Sequence, residues 1–455
     1  MRRSVGIDME KDAVMFALLA VVYVFLLESM LGNVDIWGAY YYRHVQNTLE
    51  RGTTLYYDEL SYLGRNFTFP PAFFEFAASV SKLLGVASFE SIRIPLHLSV
   101  VALFFLSTYL LFSNFKTREQ KLLASIIFAS QSFVLITATG ITLHIFSYLL
   151  LNVSVLLFSR KEPLLKLLSA LALSIAFAAH PTSLLFFPVY VYAAGLFKMD
   201  RWKLLQVGAN CALAALLSLP FYIPIFIRSG MPYEIVPSQW GYMLSYGVGG
   251  VMFDFQFSAA MLVASILYGL QKREFRLPTL ILLGFLLVDI LVTFRANMLV
   301  TVMLSALFPQ LFSKYMRSDT LLALFFAIPL VDLMLVPVVY SGTTDWCTWG
   351  VSNRMCVPPM QYINQYTPSG TKVAINPEYG HLEAYYGGRP VLADLYVEYA
   401  DYEKFRAENE FYWKSNTSGL GKYNISLFVL DDIGTKKDIP DADRIYDNGF
   451  IHIFR

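Results

Sequence analysis

Long apolar segments recur along the chain from Ala13 to about Tyr340. An α-helix needs roughly 20 predominantly apolar residues to cross a bilayer, and eleven segments approach or reach that length. They lie at about 13–31, 92–113, 121–138, 142–159, 164–180, 182–197, 204–227, 251–270, 277–294, 297–313 and 320–340. The pattern predicts an α-helical polytopic membrane domain at 1–340 with about eleven transmembrane helices.

The pattern changes after Tyr340. Residues 341–455 carry dispersed charge and frequent Gly and Pro, and they contain no run that could span a membrane. Strand-like and helix-like patterns alternate instead. Strands are predicted at 372–376, 390–393, 426–430 and 451–454, and a helix at 398–414. The tail is therefore predicted to be a separate α/β domain.

Loop charge predicts the orientation of the chain. Cytoplasmic loops carry an excess of Lys and Arg, and six short segments do so, at 1–12, 114–121, 160–166, 198–203, 271–276 and 313–319. These segments fall on one side only if Phe69–Leu84, which carries Glu75 and Lys82, does not cross the membrane. We predict an interfacial helix there, a cytoplasmic N-terminus, and an extracytoplasmic first loop (32–91) and tail.

Composition supports a membrane protein. Hydrophobic residues make up 56% of the 455 residues and charged residues 15%, with a mean hydropathy of +0.50. These values exclude a disordered chain and a cytosolic enzyme. The net charge of +1 gives no reason to expect a nucleic-acid partner. Three cysteines exclude a disulfide scaffold, while a Cys347–Cys356 disulfide and two free thiols both remain open.

The first outer loop is chemically dense. Asp35 directly follows the first apolar segment, which places a carboxylate at headgroup depth. Partial removal from water raises the basicity of a carboxylate, and a positioned base is what a hydroxyl nucleophile requires. The alternative is that Asp35 caps a helix that begins at Ile36, a common role for Asp.

Several segments resemble one family. Asp35 after the first span, the aromatic stretch Phe67–Phe74 with its Pro70-Pro71 pair, and the His180-Pro181 break are similar to features of the GT-C superfamily of membrane glycosyltransferases. The tail segment 368–392 is similar to tails in this group. The resemblance implies an enzyme that takes a sugar from a polyprenyl-phosphate carrier, such as dolichyl phosphate, at the outer face. It also implies that Asp35 is the catalytic base for the acceptor.

Cationic side chains at the same depth are candidates for binding the departing lipid phosphate. Negative charge collects on that group during transfer, and positive side chains stabilise it. Arg295 lies in a short outer turn and Arg228 at the outer end of a span, while Arg43 and Arg65 lie in the first loop. The alternative for each is an interfacial anchor that reaches the headgroups.

Two acids in the same loop, Asp58 and Glu59, are candidates for orienting the acceptor or for holding a divalent ion. The alternative is a solvated loop face. In the family, metal dependence accompanies paired Asp-x-Asp acids, and this loop has no Asp-x-Asp. We therefore expect no metal and no other cofactor, although a divalent ion at Asp58 and Glu59 remains open.

Ionisable residues within spans need a reason, because their burial in the membrane is costly. His180, Asp289 and Asp332 lie towards the outer ends of their segments. Each is either part of an outward-facing site, with His180 a substrate contact, or a buried polar group that fixes helix packing.

The sequence therefore predicts a membrane glycosyltransferase. It moves a hexose, such as mannose, from a polyprenyl-phosphate carrier to a lipid-linked glycan or protein acceptor, with inversion. The protein is also expected to contact membrane lipid. The alternative is a transporter or lipid flippase, which predicts inverted repeats and broken helices at midplane, and a non-catalytic scaffold is a third interpretation.

Overall fold

The structure is a computed structural model of the whole chain. It describes residues 2–31, 36–66, 70–139, 142–229, 255–291, 296–342, 353–394, 402–414, 419–431, 439 and 442–455. All structural statements below concern these residues.

Helices dominate the described residues. They are α1 (Arg2–Leu31), α2 (Ile36–Arg51), α3 (Ala72–Leu83), α4 (Glu90–Leu111), α5 (Arg118–Ser130), α6 (Ser132–Ala138), α7 (Leu143–Phe158), α8 (Pro163–Ala179), α9 (Thr182–Ala194), α10 (Arg201–Ser229), α11 (Ser258–Gln271), α12 (Arg276–Leu291), α13 (Asn297–Leu311), α14 (Asp319–Gly342), α15 (Asn353–Tyr366) and α16 (Tyr402–Lys414).

Each of the eleven predicted spans overlaps at least one of these helices. Among the described residues, four helical stretches are long and apolar enough to cross a membrane by themselves, namely Lys11–Ser29, Glu90–Asn114, Arg201–Arg228 and Asp319–Val336. The chain therefore has the helices of an integral membrane protein, while the number of crossings and the orientation of the termini stay predictions.

Local signals explain where these helices begin and end. Thr117 and Gln120 form a capping box at the start of α5, where each side chain pairs with the other residue's backbone N–H. Thr142 accepts a hydrogen bond from the Ile145 N–H at the start of α7. The chain breaks between α8 and α9 at His180 and Pro181, as the sequence predicts.

The chain forms two compact units. The first comprises Met1–Leu27, Ile94–Pro220 and Ile235–Val339, and the second comprises Glu28–Arg93, Phe221–Glu234 and Tyr340–Arg455. The second unit thus contains both the first loop and the tail. The predicted domain boundary at residue 340 stays a prediction.

The first unit packs around α13, whose side chains are all buried except Gln310. Some of the buried polar groups there are paired between helices. Asn152 donates to Ser107 Oγ and Thr108 Oγ1, both at 3.1 Å. Asp332 accepts from the backbone N–H groups of Phe257 and Ser258 at 2.8 and 2.9 Å. Asp332 is therefore a buried polar group that fixes packing, which is one of its two predicted roles.

The described part of the second unit contains six strands in two sheets. They are β1 (Tyr57–Asp58), β2 (Arg65–Asn66), β3 (Val373–Ala374), β4 (Leu427–Asp431), β5 (Arg444–Asp447) and β6 (Ile451–Phe454). β1 and β2 pair antiparallel. The other four form a sheet of order β3-β4-β6-β5, in which only the β3–β4 pairing is parallel.

Helix α3 lies in the segment predicted as an interfacial helix. It has 12 residues, fewer than a bilayer crossing needs. It buries an aromatic and small-residue face that includes Phe73, Phe74 and Ala77. The predicted helix is confirmed, and its location at the membrane interface stays a prediction.

Candidate functional site

Helix α2 is the element that immediately follows Asp35. Its buried face carries Tyr40, Tyr41, Arg43 and His44. The aromatic side chains supply apolar contact, since the ring of Tyr40 lies 4.5 Å from that of His44 and 4.7 Å from that of His381. Asp35 itself and Arg295 lie outside the described residues, so their predicted roles stay predictions.

Asp58 fixes this face of α2 through a buried ion pair. Arg43 Nη1 and Nη2 donate to Asp58 Oδ1 and Oδ2 at 2.6 and 2.5 Å. This two-point geometry is the strong form of an arginine–carboxylate contact. His44 Nε2 lies 3.3 Å from Asp58 Oδ2, and the Leu60 N–H donates to Asp58 Oδ1 at 3.1 Å. These partners of the Asp58 carboxylate therefore all belong to the first loop.

The ionisation of this cluster follows from its burial and charges. Burial alone would raise the pKa of Asp58, but the charge of Arg43 and the hydrogen bond from His44 hold it well below its usual value. Burial lowers the pKa of His44 to about 4 despite the nearby Asp58. At neutral pH the cluster is therefore a charged Arg43–Asp58 pair beside a neutral imidazole.

A second buried carboxylate, Asp394, joins the first loop to the tail within the same unit. It accepts a short hydrogen bond from Ser61 Oγ, and its Oδ1 lies 3.3 Å from Arg65 Nη2. Tyr62 OH donates to the backbone carbonyl of Asp394 at 2.8 Å. His381 Nδ1 lies 3.6 Å from its Oδ2. Arg65 is thus held by a carboxylate from a position 329 residues later.

Backbone contacts reinforce this connection. The Leu63 N–H donates to the Val391 carbonyl, and the Val391 N–H donates to the Leu60 carbonyl, both at 2.9 Å. Val391 in turn bridges to Val373 of β3. The first loop is therefore continuous by hydrogen bonding with the strand region of the tail.

Arg228 is the third predicted phosphate contact that the structure describes, besides Arg43 and Arg65. Its side chain is exposed, and its guanidinium lies 3.9 Å from the centroid of the Tyr56 ring, a cation–π contact. Asn66 Nδ2 donates to the Arg228 backbone carbonyl at 3.3 Å. Arg228 is therefore an exposed cation that two residues of the first loop hold in place.

The remaining predicted residues separate into different environments. Glu59 is exposed, which agrees with a solvated loop face, whereas Asp58 is 2% exposed, and a solvated face is wrong for it. His180 is buried in the first unit, where its Nδ1 lies 2.6 Å from Thr182 Oγ1 and its ring 4.4 Å from that of His144.

The metal and disulfide expectations have different outcomes. Within the described part of the chain, no group of three or more His, Cys, Asp or Glu side chains has the arrangement of a metal site; the expectation of no metal stays a prediction. Cys356 is disulfide-bonded and Cys211 is free, while Cys347 lies outside the described residues.

We expect the substitution His44→Gln to make the second unit less sensitive to acid. The folded-state pKa of His44, about 4, lies below its ordinary value of 6.5, so protons favour the unfolded state as pH falls through that window. Between pH 7 and 4.5 the unmodified protein therefore loses about 2–3 kcal/mol of unfolding free energy through His44. Hydrogen exchange of peptides from 36–66, followed in the full chain from pH 7 to 4.5, measures it.

Comparing His44→Gln with the unmodified protein separates the effect of His44 from that of groups whose protonation favours the folded state. Burial raises the pKa values of Glu383 and Glu408 well above their usual range, so acid favours the folded state at these residues. They are present in both chains and cancel in the difference. An identical acid response of the two chains contradicts the neutral, buried imidazole.

Known structures share this fold. No family model matches the chain, and no curated protein sequence matches it either. The archaeal oligosaccharyltransferase AglB from Archaeoglobus fulgidus, solved with an inhibitory peptide and a dolichol-phosphate, aligns with a TM-score of 0.62 at 14% identity. The alignment covers 91% of this chain and 69% of AglB.

A second neighbour is the arabinofuranosyltransferase AftD from Mycobacteria. It aligns with a TM-score of 0.57 at 15% identity, over 97% of this chain and 40% of AftD. Both neighbours are GT-C glycosyltransferases. The chain has the GT-C fold, and the predicted resemblance is confirmed at the level of fold.

Proposed function

We propose that this protein is a glycosyltransferase that uses a sugar carried on a polyprenyl phosphate. It transfers a hexose, such as mannose, to a lipid-linked glycan or a protein acceptor at the outer membrane face. The observation that carries the proposal is the alignment with AglB over 91% of the chain. Fold alone does not fix an activity, so the chemistry is argued from the residues.

The transfer is a single displacement with inversion. Asp35 accepts the proton of the acceptor hydroxyl or amide while the acceptor atom forms a bond to the anomeric carbon. The bond between that carbon and the phosphate oxygen breaks, and its electron pair leaves with the polyprenyl phosphate. One base suffices because the phosphate is already a good leaving group, and no second carboxylate acts as a nucleophile.

Arg228 supports the departing phosphate in this proposal. Its guanidinium is exposed and lies against Tyr56, so its position is restricted while its N–H donors remain accessible. Arginine matches phosphate oxygens with two parallel donors. Arg43 is less suited to the same task, because both of its terminal nitrogens already donate to Asp58.

We expect Arg228→Ala to lower kcat/KM for the lipid-linked donor by about 10- to 100-fold, the value of one charge-assisted hydrogen bond of roughly 1.5–3 kcal/mol. Arg228→Lys should recover part of this, because it keeps the charge and the contact with Tyr56. Steady-state kinetics with varied donor check the prediction. The matched control is Arg406→Ala, which removes an exposed arginine paired with Glu410 in the same unit.

No metal takes part in this proposal. Asp58, the better placed acid of the pair in the first loop, uses both carboxylate oxygens for Arg43. A divalent ion would have to displace that buried arginine. Activity in the presence of a chelator supports this part of the proposal, and its loss with recovery on adding Mg²⁺ or Mn²⁺ contradicts it.

The proposal as a whole is tested with the purified full chain in lipid nanodiscs. The substrate is a polyprenyl-phosphate mannose labelled in the sugar, with a membrane extract as the source of acceptor. Transfer of label to glycan or protein, with release of the polyprenyl phosphate, supports the enzyme. Movement of the intact labelled lipid across liposome membranes, with no chemical change, supports the flippase alternative instead.

A further inference from the structure

Two predicted cytoplasmic loops of the first unit bring cations and phenols together. At the end of α11, Lys272 Nζ lies 5.2 Å from the centroid of the Tyr268 ring. After α13, Lys314 Nζ lies 4.6 Å from the centroid of the Tyr315 ring. Lys314 also interacts with the Tyr268 hydroxyl, and Lys272 acts electrostatically on Tyr315. The two lysines therefore share the same pair of tyrosines.

An aromatic stack fixes the position of this pair. The Tyr268 ring stacks on Phe312 at 5.4 Å with an interplanar angle of 29°. Phe312 also contacts Tyr315 at 6.1 Å and Phe308 at 4.6 Å. The rings connect α11 to the end of α13, so the lysines are presented by a packed support.

The charge around this cluster is predominantly positive. The segment 271–276 carries Lys272, Arg273 and Arg276 against the single acid Glu274. The segment 313–319 adds Lys314 and Arg317 against Asp319. An open depression of about 520 Å³ is lined by Lys272, Arg273 and Glu274. The Lys314 ammonium is exposed, and its hydrogen bond to Tyr315 raises its pKa, so it carries its charge throughout the physiological range.

Exposed apolar side chains lie close in sequence to both ends of the segment 271–276. Leu267, one residue before Tyr268, is 61% exposed, and Leu277, one residue after Arg276, is 62% exposed. Exposed leucines in apolar helices of a membrane protein face lipid chains. The cations therefore lie at the level where the apolar surface of α11 and α12 ends, which is headgroup depth.

We propose that Lys272, Lys314, Tyr268 and Tyr315 form a binding site for the phosphate headgroup of an anionic phospholipid. Basic pockets between the ends of transmembrane helices bind such headgroups. The ammonium groups neutralise the phosphate, the phenol hydroxyls donate to its oxygens, and Leu267 and Leu277 contact the acyl chains. A free phosphate ion would use the cations alone and would gain nothing from the leucines.

The site is independent of the proposed transferase chemistry. Lys272, Lys314 and Tyr315 belong to loops that loop charge assigns to the cytoplasmic side, and Tyr268 lies in the last turn of α11 beside one of them. Asp35 and Arg228 belong to the predicted outer face. The glycosyltransferase proposal can therefore fail while this site stands, and the reverse also holds.

Native mass spectrometry of the full chain in detergent tests the proposal. We expect phosphatidylglycerol to bind at least tenfold more tightly than phosphatidylcholine of the same chain length. The double variant Lys272→Gln/Lys314→Gln should lose this preference. The matched control Lys116→Gln/Lys161→Gln removes the same charge from exposed lysines of two other predicted cytoplasmic loops and should keep it.

Three outcomes overturn the proposal. Equal affinity of both lipids shows that the headgroup charge is not recognised. Equal loss in the two double variants shows that only net charge matters. Competition by millimolar inorganic phosphate as effective as that by phosphatidylglycerol identifies a phosphate ion site. Tyr268→Phe/Tyr315→Phe, which keeps the aromatic stack, should weaken binding several-fold if the hydroxyls donate.

Discussion

Replacing Asp35 with Asn is expected to reduce sugar transfer by about 10²- to 10⁴-fold, the usual contribution of a positioned general base. The amide keeps the size of the side chain and its ability to cap α2, but it cannot accept the acceptor proton. The loss should be in kcat, with the KM for the lipid-linked donor almost unchanged, because donor binding does not need the base. Turnover of labelled polyprenyl-phosphate mannose by the full chain measures both constants.

A control separates this loss from a general effect of removing an acid. Glu50 is an exposed acid of the same loop, at the end of α2, where it accepts a hydrogen bond from Gln46 at 2.8 Å. Glu50→Gln should turn over at the rate of the unmodified chain. Full activity of Asp35→Asn removes Asp35 from the mechanism, and cysteine labelling that places residue 35 on the cytoplasmic side removes the outer-face site altogether.

The capping alternative for Asp35 is tested by comparing Asp35→Asn with Asp35→Ala. If Asp35 only caps α2, then Asp35→Asn should be almost silent, because Asn caps as well as Asp, while Asp35→Ala should lower stability by about 1 kcal/mol. If it is the base, both variants lose turnover to a similar extent. The ratio of the turnover rates of Asp35→Asn and Asp35→Ala therefore distinguishes the two roles.

Much of the fold follows from one-dimensional patterns. Apolar runs locate α1, α4, α10 and α14 because a helix in lipid must be apolar over most of its length. The helix predicted in Phe69–Leu84 is confirmed as α3, while its location outside the bilayer, predicted from its short length and its charges, stays a prediction. In the tail, β5 (Arg444–Asp447) is missed, since its half-exposed pattern gives no buried run to detect. The strand predicted at 390–393 is wrong, because only Val391 forms an isolated bridge there, to Val373.

The buried polar clusters could not be predicted from the sequence. Arg43 and Asp58 are 15 residues apart, a spacing that matches no helix or strand period, so their pairing depends on the turn between α2 and β1. Arg65 and Asp394 are 329 residues apart. Sequence patterns identify Arg43, Asp58 and Arg65 as charges in an outer loop, but only tertiary structure shows that each has a buried partner.

These clusters change the interpretation of the predicted site. Arg43 and Arg65 are candidates for phosphate binding from sequence, and in the structure both hold carboxylates within the second unit. In the proposed reaction their contribution is indirect: the Arg43–Asp58 pair connects β1 to α2, which begins one residue after Asp35, and the Arg65–Asp394 pair connects β2 to the tail. Among the described candidates, Arg228 is the exposed cation held against an aromatic ring.

Breaking the buried pair with Asp58→Ala is expected to destabilise the second unit by about 3–5 kcal/mol, because it leaves the charge of Arg43 buried and unpaired. Both side chains are under 10% exposed. The more exposed pair Arg406–Glu410, whose side chains are 66% and 28% exposed, supplies the matched control, and Glu410→Ala should cost less than about 1 kcal/mol. Hydrogen exchange of peptides from α2, measured in the full chain, reports the local loss of protection.

The double variant Arg43→Met/Asp58→Leu distinguishes ion pairing from loss of packing. It removes both charges and keeps apolar volume, so it should recover most of the stability that Asp58→Ala loses. If its loss of stability instead equals the summed losses of the single variants Arg43→Met and Asp58→Leu, the pair acts through shape and not through charge. If Asp58→Ala leaves α2 fully protected, the pair does not hold α2, and the indirect route from this cluster to Asp35 has no physical basis.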